Sequence, residues 1–206
     1  MTRNQSNVND IEPKNVAVVL VDFQNAFCHA KSNTVDDKRS NRETAVRAND
    51  FAAAATRLGA SVVYTAQILD PDFLSPRQRE WAIDENICPR GSWQSELFIK
   101  PVPGAKVVTK YRFDIWQSRE FLQFIETMNP DGLVFAGVEL CCCVLFAVLG
   151  ADERGFRYSI PLDLVSGIDP GKDSYNKAVR EYLKLIYHAP DTAEEILKAW
   201  ETGKKS

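Results

Sequence analysis

The hydrophobic positions of this chain fall into short unbroken runs. "VAVVLVD", Val16 to Asp22, is a stretch of aliphatic and β-branched residues closed by a carboxylate. "SVVYTAQ" (61–67), "KVVTK" (106–110), "GLVFAGV" (132–138) and "RYSIPL" (157–162) repeat the pattern, and "LIYHAP" (185–190) is a weaker sixth run. Strands read this way when both faces are buried, as in a parallel sheet. Between the runs the period changes. "QSREFLQFIETM" places Phe121, Leu122, Phe124 and Ile125 at helical spacing, and "KDSYNKAVREYLKLI" is amphipathic. Ser40 is placed to cap a helix running to about Leu58, with Gly59 as its stop. A triple-cysteine segment runs on as "VLFAVLGADERG", helical until Gly155. The last helix begins at "DTAEE", where Asp191 and Glu194 resemble a capping box. This alternation predicts an α/β fold of three layers, a parallel sheet between two sets of helices.

The polar residues 1–15 predict a flexible arm, and 16–206 a single domain. One long irregular stretch, Leu69 to Lys100, carries Pro71, Pro76, Pro89 and Gly91 with Trp81 and Trp93. A loop of that length in a compact domain predicts a cover over a site or a subunit contact.

Composition narrows the classes. The 206 residues are 45% apolar and 26% charged, enough for a proper core. A net charge of −3 without a basic stripe excludes nucleic acid as a partner. The start lacks a hydrophobic signal region, and no apolar run reaches the roughly 20 residues of a membrane helix, so a cytoplasmic location with reduced thiols is expected. Five cysteines, three of them adjacent, make no disulfide framework. The two histidines, His29 and His188, stand without opposed cysteine pairs, so no zinc site is expected.

Ligands of open parallel sheets bind beyond the carboxyl ends of the strands. The first run ends in Asp22, the third in Lys110, and the fourth in Gly137–Val138 just before Cys141, Cys142 and Cys143. An acid, an amine and a thiol therefore converge on one rim. A lysine and a helix N-terminus both favour a thiolate. A carboxylate can take the thiol proton and return it to a leaving group. A strand-to-helix turn offers backbone N–H groups to an oxyanion. Successive helical side chains are turned by about 100°, so three neighbouring thiols cannot share one pocket. Around the rim, Phe27, Trp93, Phe113 and Trp116 are either an apolar wall for a planar substrate or ordinary core. Arg112 or Arg90 is placed to meet a substrate carboxylate, or is a solvated surface group. Gln24 either holds substrate or braces Asp22, and His29 either lines the entrance or is structural.

"VVLVDFQNAF" (18–27), "VVTKYRFDIW" (107–116) and "VFAGVELCCCV" (134–144) resemble, in order and spacing, the isochorismatase-like cysteine hydrolases. The resemblance implies a six-stranded, Rossmann-like parallel sheet and an Asp-Lys-Cys triad mapping onto Asp22, Lys110 and Cys143. It places the nucleophile six residues after Gly137, which selects Cys143. It also implies a cis peptide at Val138–Glu139 and an oxyanion hole from the N–H groups of Glu139 and Cys143. Two positions depart from the family: Leu140 stands where threonine is common, and Cys141 where aspartate is. Members that hydrolyse nicotinamide hold a metal after the second strand, where this chain has Gln67 and Leu69. The resemblance thus implies a metal-free, cofactor-free amidohydrolase, akin to N-carbamoylsarcosine amidase and the ureidoacrylate and biuret hydrolases. It would act on a small amide or carbamoyl compound through a thioester, as a homodimer or homotetramer. Two alternatives stay open: vinyl-ether hydrolysis by Asp22 without the cysteine, and a divergent, non-catalytic binding protein.

Overall fold

The computed structural model describes residues 7–32, 38–77, 79–80, 87–166, 173–187 and 192–203, with side chains left out for Lys38, Asp173, Ser174 and 184–187. Strands β1 (Val16–Val21), β2 (Ser61–Gln67), β3 (Lys106–Lys110), β4 (Gly132–Val138), β5 (Arg157–Ser159) and β6 (Val165–Ser166) form one parallel sheet. Helices α1 (Asn25–Cys28), α2 (Lys38–Leu58), α3 (Arg119–Met128), α4 (Leu145–Glu153), α5 (Asp173–Tyr187) and α6 (Ala193–Gly203) complete the fold. The strand order is β3-β2-β1-β4-β5. The chain winds outward from β1 in one direction and from β4 in the other, so the switch point lies between these two central strands.

Both central strands are buried along their whole length, as their unbroken apolar runs predict. Their side chains alternate between two cores. Val16, Val18 and Leu20 join Ala45, Ala48, Ala52 and Ala55 of α2, with Ile196 and Trp200 of α6. Ala17, Val19 and Val21 join Phe121 and Ile125 of α3, Ala147, Val148 and Ala151 of α4, and Leu183 of α5. Each such large aliphatic or aromatic side chain contributes about 1.5–3 kcal/mol when fully buried. The alanine stripe of α2 lets that helix approach the sheet closely.

The sixth strand differs from expectation. Leu185–Tyr187 belongs to α5, whose amphipathic repeat carries through it, and 188–190 lie outside the described residues. The sixth strand is β6, which pairs with the end of β4 at Gly137↔Val165, while β5 pairs with its beginning at Gly132↔Arg157. The two share one edge because the 3-10 turn Leu162–Leu164 follows Pro161 and breaks the run.

Helix starts shift too. α2 already runs at Lys38, so Ser40 sits inside its first turn and shares a hydrogen bond with the Ser166 hydroxyl (3.0 Å). The α6 capping box closes on Thr192 and Glu195 rather than on Asp191, which lies outside the described residues, and Glu194. The Thr192 N–H donates to the Glu195 carboxylate at 2.7 Å, and the Glu195 N–H donates to the Thr192 hydroxyl at 3.2 Å. The expected arm is built into the domain from residue 7 onward. Val8 is buried against the sheet, and its carbonyl accepts the Trp200 indole N–H at 3.0 Å. Among the described residues no helix is long and apolar enough to cross a membrane.

The irregular stretch after β2 folds back on the strand ends. The Leu69 N–H donates to the Cys88 carbonyl (2.8 Å), the Asn25 N–H to Glu96 (2.9 Å) and the Phe98 N–H to Phe23 (2.8 Å). Residues 78 and 81–86, with Trp81, lie outside the described residues.

Candidate active site

Asp22, Lys110 and Cys143 meet at the carboxyl end of the sheet, each shut away from solvent at 0%, 1% and 6% exposure. Asp22 leaves β1 in a left-handed conformation (φ 55°), a region that aspartate tolerates better than most residues. The Thr65 hydroxyl donates to its Oδ1 at 2.5 Å and accepts its backbone N–H at 3.1 Å. Lys110, the last residue of β3, extends across to the other two. Its ammonium stands 2.7 Å from Asp22 Oδ2 and donates to Cys143 Sγ (3.3 Å), Gln67 Oε1 (3.0 Å) and the Arg112 carbonyl (3.0 Å). Four acceptors thus crowd an ammonium with three hydrogens. Asp22 Oδ2 is the one left without a well-directed hydrogen bond, and it keeps acceptor capacity for a thiol proton.

The Cys143 turn follows from β4. Gly137, the next-to-last residue of the strand, has φ 150°, and a Cβ there would stand 2.5 Å from the Val21 carbonyl oxygen, so only glycine lets β4 pass β1 this closely. The next peptide, Val138–Glu139, is cis, where the resemblance places it. Leu140–Val144 then forms a π-turn that leads into α4. The Glu139 carbonyl accepts the N–H groups of Cys142 (3.1 Å) and Val144 (3.2 Å), those flanking Cys143. Leu140, in place of the usual threonine, is fully buried in the core below the turn. Cys143 points into the chamber, whereas Cys141 and Cys142 are half-buried, with their sulfurs 3.8 Å apart.

Burial pushes the Cys143 thiol well above the ordinary thiol range; the Lys110 charge opposes this and the Asp22 charge reinforces it. A carboxylate and an ammonium already cancel one another here, so little net positive charge remains for a second anion. Burial works against the Lys110 ammonium as well, but the Asp22 and Cys143 partners outweigh it and raise its pKa. The lysine therefore stays charged. Cys88 lies close enough to feel both charges. Burial first, then the Asp22 charge, raises its thiol, with Lys110 opposing.

The remaining candidates separate. Gln24 is not open to a substrate: its amide donates to the Gln67 and Ser95 carbonyls (2.9 and 2.8 Å) and accepts the Gln67 N–H (2.9 Å). It braces β2 against the turn after Asp22. Trp116 is core rather than rim. Its indole N–H donates to the Ala147 carbonyl at 2.8 Å, and its ring packs on Phe121 and Phe156. Phe27 is partly buried against the core. Trp93 is 42% exposed and meets His29 edge-on at 4.8 Å. The Arg112 guanidinium donates to the Phe73 carbonyl (3.0 Å), and Phe73 stacks on Tyr111 at 3.9 Å. Arg90 pairs with the buried Asp70.

Two residues of the chamber, Thr65 and Gln67, were not singled out as polar site groups from the sequence. They stand two apart at the end of β2, on one face, and Gln67 lies in register with Lys110. Polar residues at i and i+2 closing an apolar strand were the available signal. Beyond β2 the side chains do not suit a metal. Gln67 is committed to Lys110 and Cys143, Leu69 is apolar, and Asp70 is paired with Arg90.

Residues 16–186 match the Isochorismatase domain. The chain belongs to the isochorismatase family. This isochorismatase-family chain is 26% identical over 156 residues to the ureidoacrylate amidohydrolase RutB of Pseudomonas savastanoi pv. phaseolicola, a match spanning 65% of this chain and 63% of that relative. Its fold superposes on a cysteine hydrolase from Pseudomonas syringae pv. phaseolicola with a TM-score of 0.80, at 16% identity over 94% of this chain and 95% of the other. An N-carbamoylsarcosine amidase from Thermoplasma acidophilum gives a TM-score of 0.69, at 23% identity over 87% and 96%.

Proposed function

We propose that this chain is a cysteine amidohydrolase that cleaves a C–N bond in a small amide or carbamoyl compound through a thioester on Cys143. One observation carries the reading: the Lys110 ammonium touches both Asp22 (2.7 Å) and Cys143 Sγ (3.3 Å) inside a closed chamber. The Cys143 proton passes to Asp22 as the sulfur bonds to the carbonyl carbon. The N–H groups of Glu139 and Cys143 face the developing oxyanion, and Lys110 offsets the charge. Collapse breaks the C–N bond, and Asp22 gives its proton to the leaving nitrogen. Water then adds to the thioester, its proton goes to Asp22, and the acid departs as the proton returns to sulfur. The high resting pKa of the thiol fits this order, in which thiolate forms only as the attack proceeds.

The names of the relatives, ureidoacrylate amidohydrolase and N-carbamoylsarcosine amidase, support a ureido or carbamoyl substrate. The exposed Trp93 and Phe113 and the partly buried Phe27 would offer apolar contact to a planar substrate, and Arg112 would offer a cation to its carboxylate. Five free cysteines support a reducing, cytoplasmic setting. The exposed Phe113–Phe146 pair, 6.1 Å apart, supports a homo-oligomer that covers it.

An ammonia-release screen over ureido acids, small amides and biuret-like compounds tests the reading. Turnover of at least one is expected, with Cys143→Ala slower by at least about a thousandfold. Undiminished ammonia release by Cys143→Ala, or pyruvate release from a vinyl ether by both proteins alike, would replace this chemistry with another.

A further inference from the structure

Of the three adjacent cysteines, the two outside the proposed triad stand beside a carboxylate. Glu139, Cys141 and Cys142 bring one carboxylate oxygen and two sulfurs within 4.8 Å of one another. The sulfurs are 3.8 Å apart. In a tetrahedral site with metal–sulfur bonds of about 2.3 Å, two sulfurs stand about 3.8 Å apart, and a sulfur and an oxygen about 3.6 Å apart. The sulfur pair already holds the spacing of two ligands on one ion, and the carboxylate of the buried Glu139 lies within 4.8 Å of both sulfurs. Thiolates select soft or borderline divalent cations over magnesium and calcium.

From this juxtaposition we propose that Glu139, Cys141 and Cys142 form a three-ligand site for a thiophilic divalent cation of the zinc–cadmium class, with solvent in the fourth position. The site is separate from the chamber. Cys143 is buried and engaged with Lys110 and Gln67, whereas Cys141 and Cys142 are half-buried and lie 3.8 Å apart at their sulfurs. It does not depend on the amidohydrolase reading. It does bear on the turn, because all three ligands belong to the segment that positions Cys143. Leu140, between the ligands, is anchored in the core, so the cation would close a ring over a fixed point rather than over a loose loop.

Cadmium titration of the reduced, chelator-treated protein tests the proposal, read by the cadmium–thiolate ultraviolet charge-transfer band. One equivalent is expected to saturate the band in the wild type and in Cys143→Ser. The double variant Cys141→Ser/Cys142→Ser should bind at least about a hundredfold more weakly, and Glu139→Gln about tenfold more weakly. Zinc should displace the cadmium. Far-ultraviolet circular dichroism checks that each variant is folded; should the double variant not fold, Cys141→Ser alone carries the test, with the same loss expected. The proposal falls if the wild type shows no saturable band, if Cys143→Ser loses it, or if the cysteine variants keep it.

Discussion

The Thr65 hydroxyl holds Asp22 at both its carboxylate and its backbone N–H, yet it makes and breaks no bond in the proposed chemistry. Removing it leaves a buried carboxylate short of one donor. Thr65→Val should lower stability by about 1–3 kcal/mol and reduce kcat more than it changes KM, while Thr65→Ser recovers most of both. Urea denaturation and steady-state kinetics on the substrate found by the ammonia screen measure the two effects. At this scale the sequence was legible where a charged residue closed an apolar run, as with Asp22 and Lys110. The choice of Cys143 among three adjacent thiols came from family spacing, since residue type alone separates none of them. Gln24 and Trp116 kept two readings each for one physical reason: a polar or aromatic residue near a strand end reads the same whether it faces the ligand or locks the scaffold.

At the scale of elements, the buried strands were read well because β-branched runs have few other uses. The failures came where a segment is short. β6 has only two residues and owes its place to pairing with β4, a long-range contact that no local pattern announces. α4 gives a test in which local and tertiary effects have opposite signs. In an isolated helix, Gly150→Ala would add up to about 1 kcal/mol of stability. Here a Cβ at Gly150 would lie 2.0 Å from Trp116 Cδ1, inside a ring that is packed and hydrogen-bonded. Gly150→Ala should therefore destabilise by about 1–3 kcal/mol. Urea denaturation and the near-ultraviolet tryptophan signal are the measurements, and a more stable variant would show that the ring yields freely.

Over the whole molecule, thiol burial gives stability a pH dependence. Burial pushes the Cys28 thiol up to about 12 from 9.0, against the opposing charge of Arg42. A group whose folded pKa is raised adds stability that is complete below its unfolded value and is lost as pH rises toward the folded one. Above about pH 9 the unfolded chain gives up a proton that the folded chain keeps, so unfolding gains about 1.4 kcal/mol per pH unit for each such thiol. The melting temperature should fall steadily from pH 9 to 11, and Cys28→Ala should make that fall shallower; a flat profile over this window would contradict the burial argument. The α/β fold was legible from the alternation of patterns, whereas the docking of residues 7–15 under Trp200 was not, because a polar stretch with two apolar side chains reads as a tail.

The order of the strands has one more consequence. Asp22 and the Cys143 turn stand on the two innermost strands, which open only when the domain does, but Lys110 rides on β3, at the sheet's margin. Marginal strands detach in local fluctuations that leave the centre intact. A brief lifting of β3 would withdraw the ammonium while the acid and the thiol stay in place, so the molecule would be folded yet idle. In the proposed mechanism the lifetime of the competent state would then be set by one outer ribbon of five residues rather than by the core.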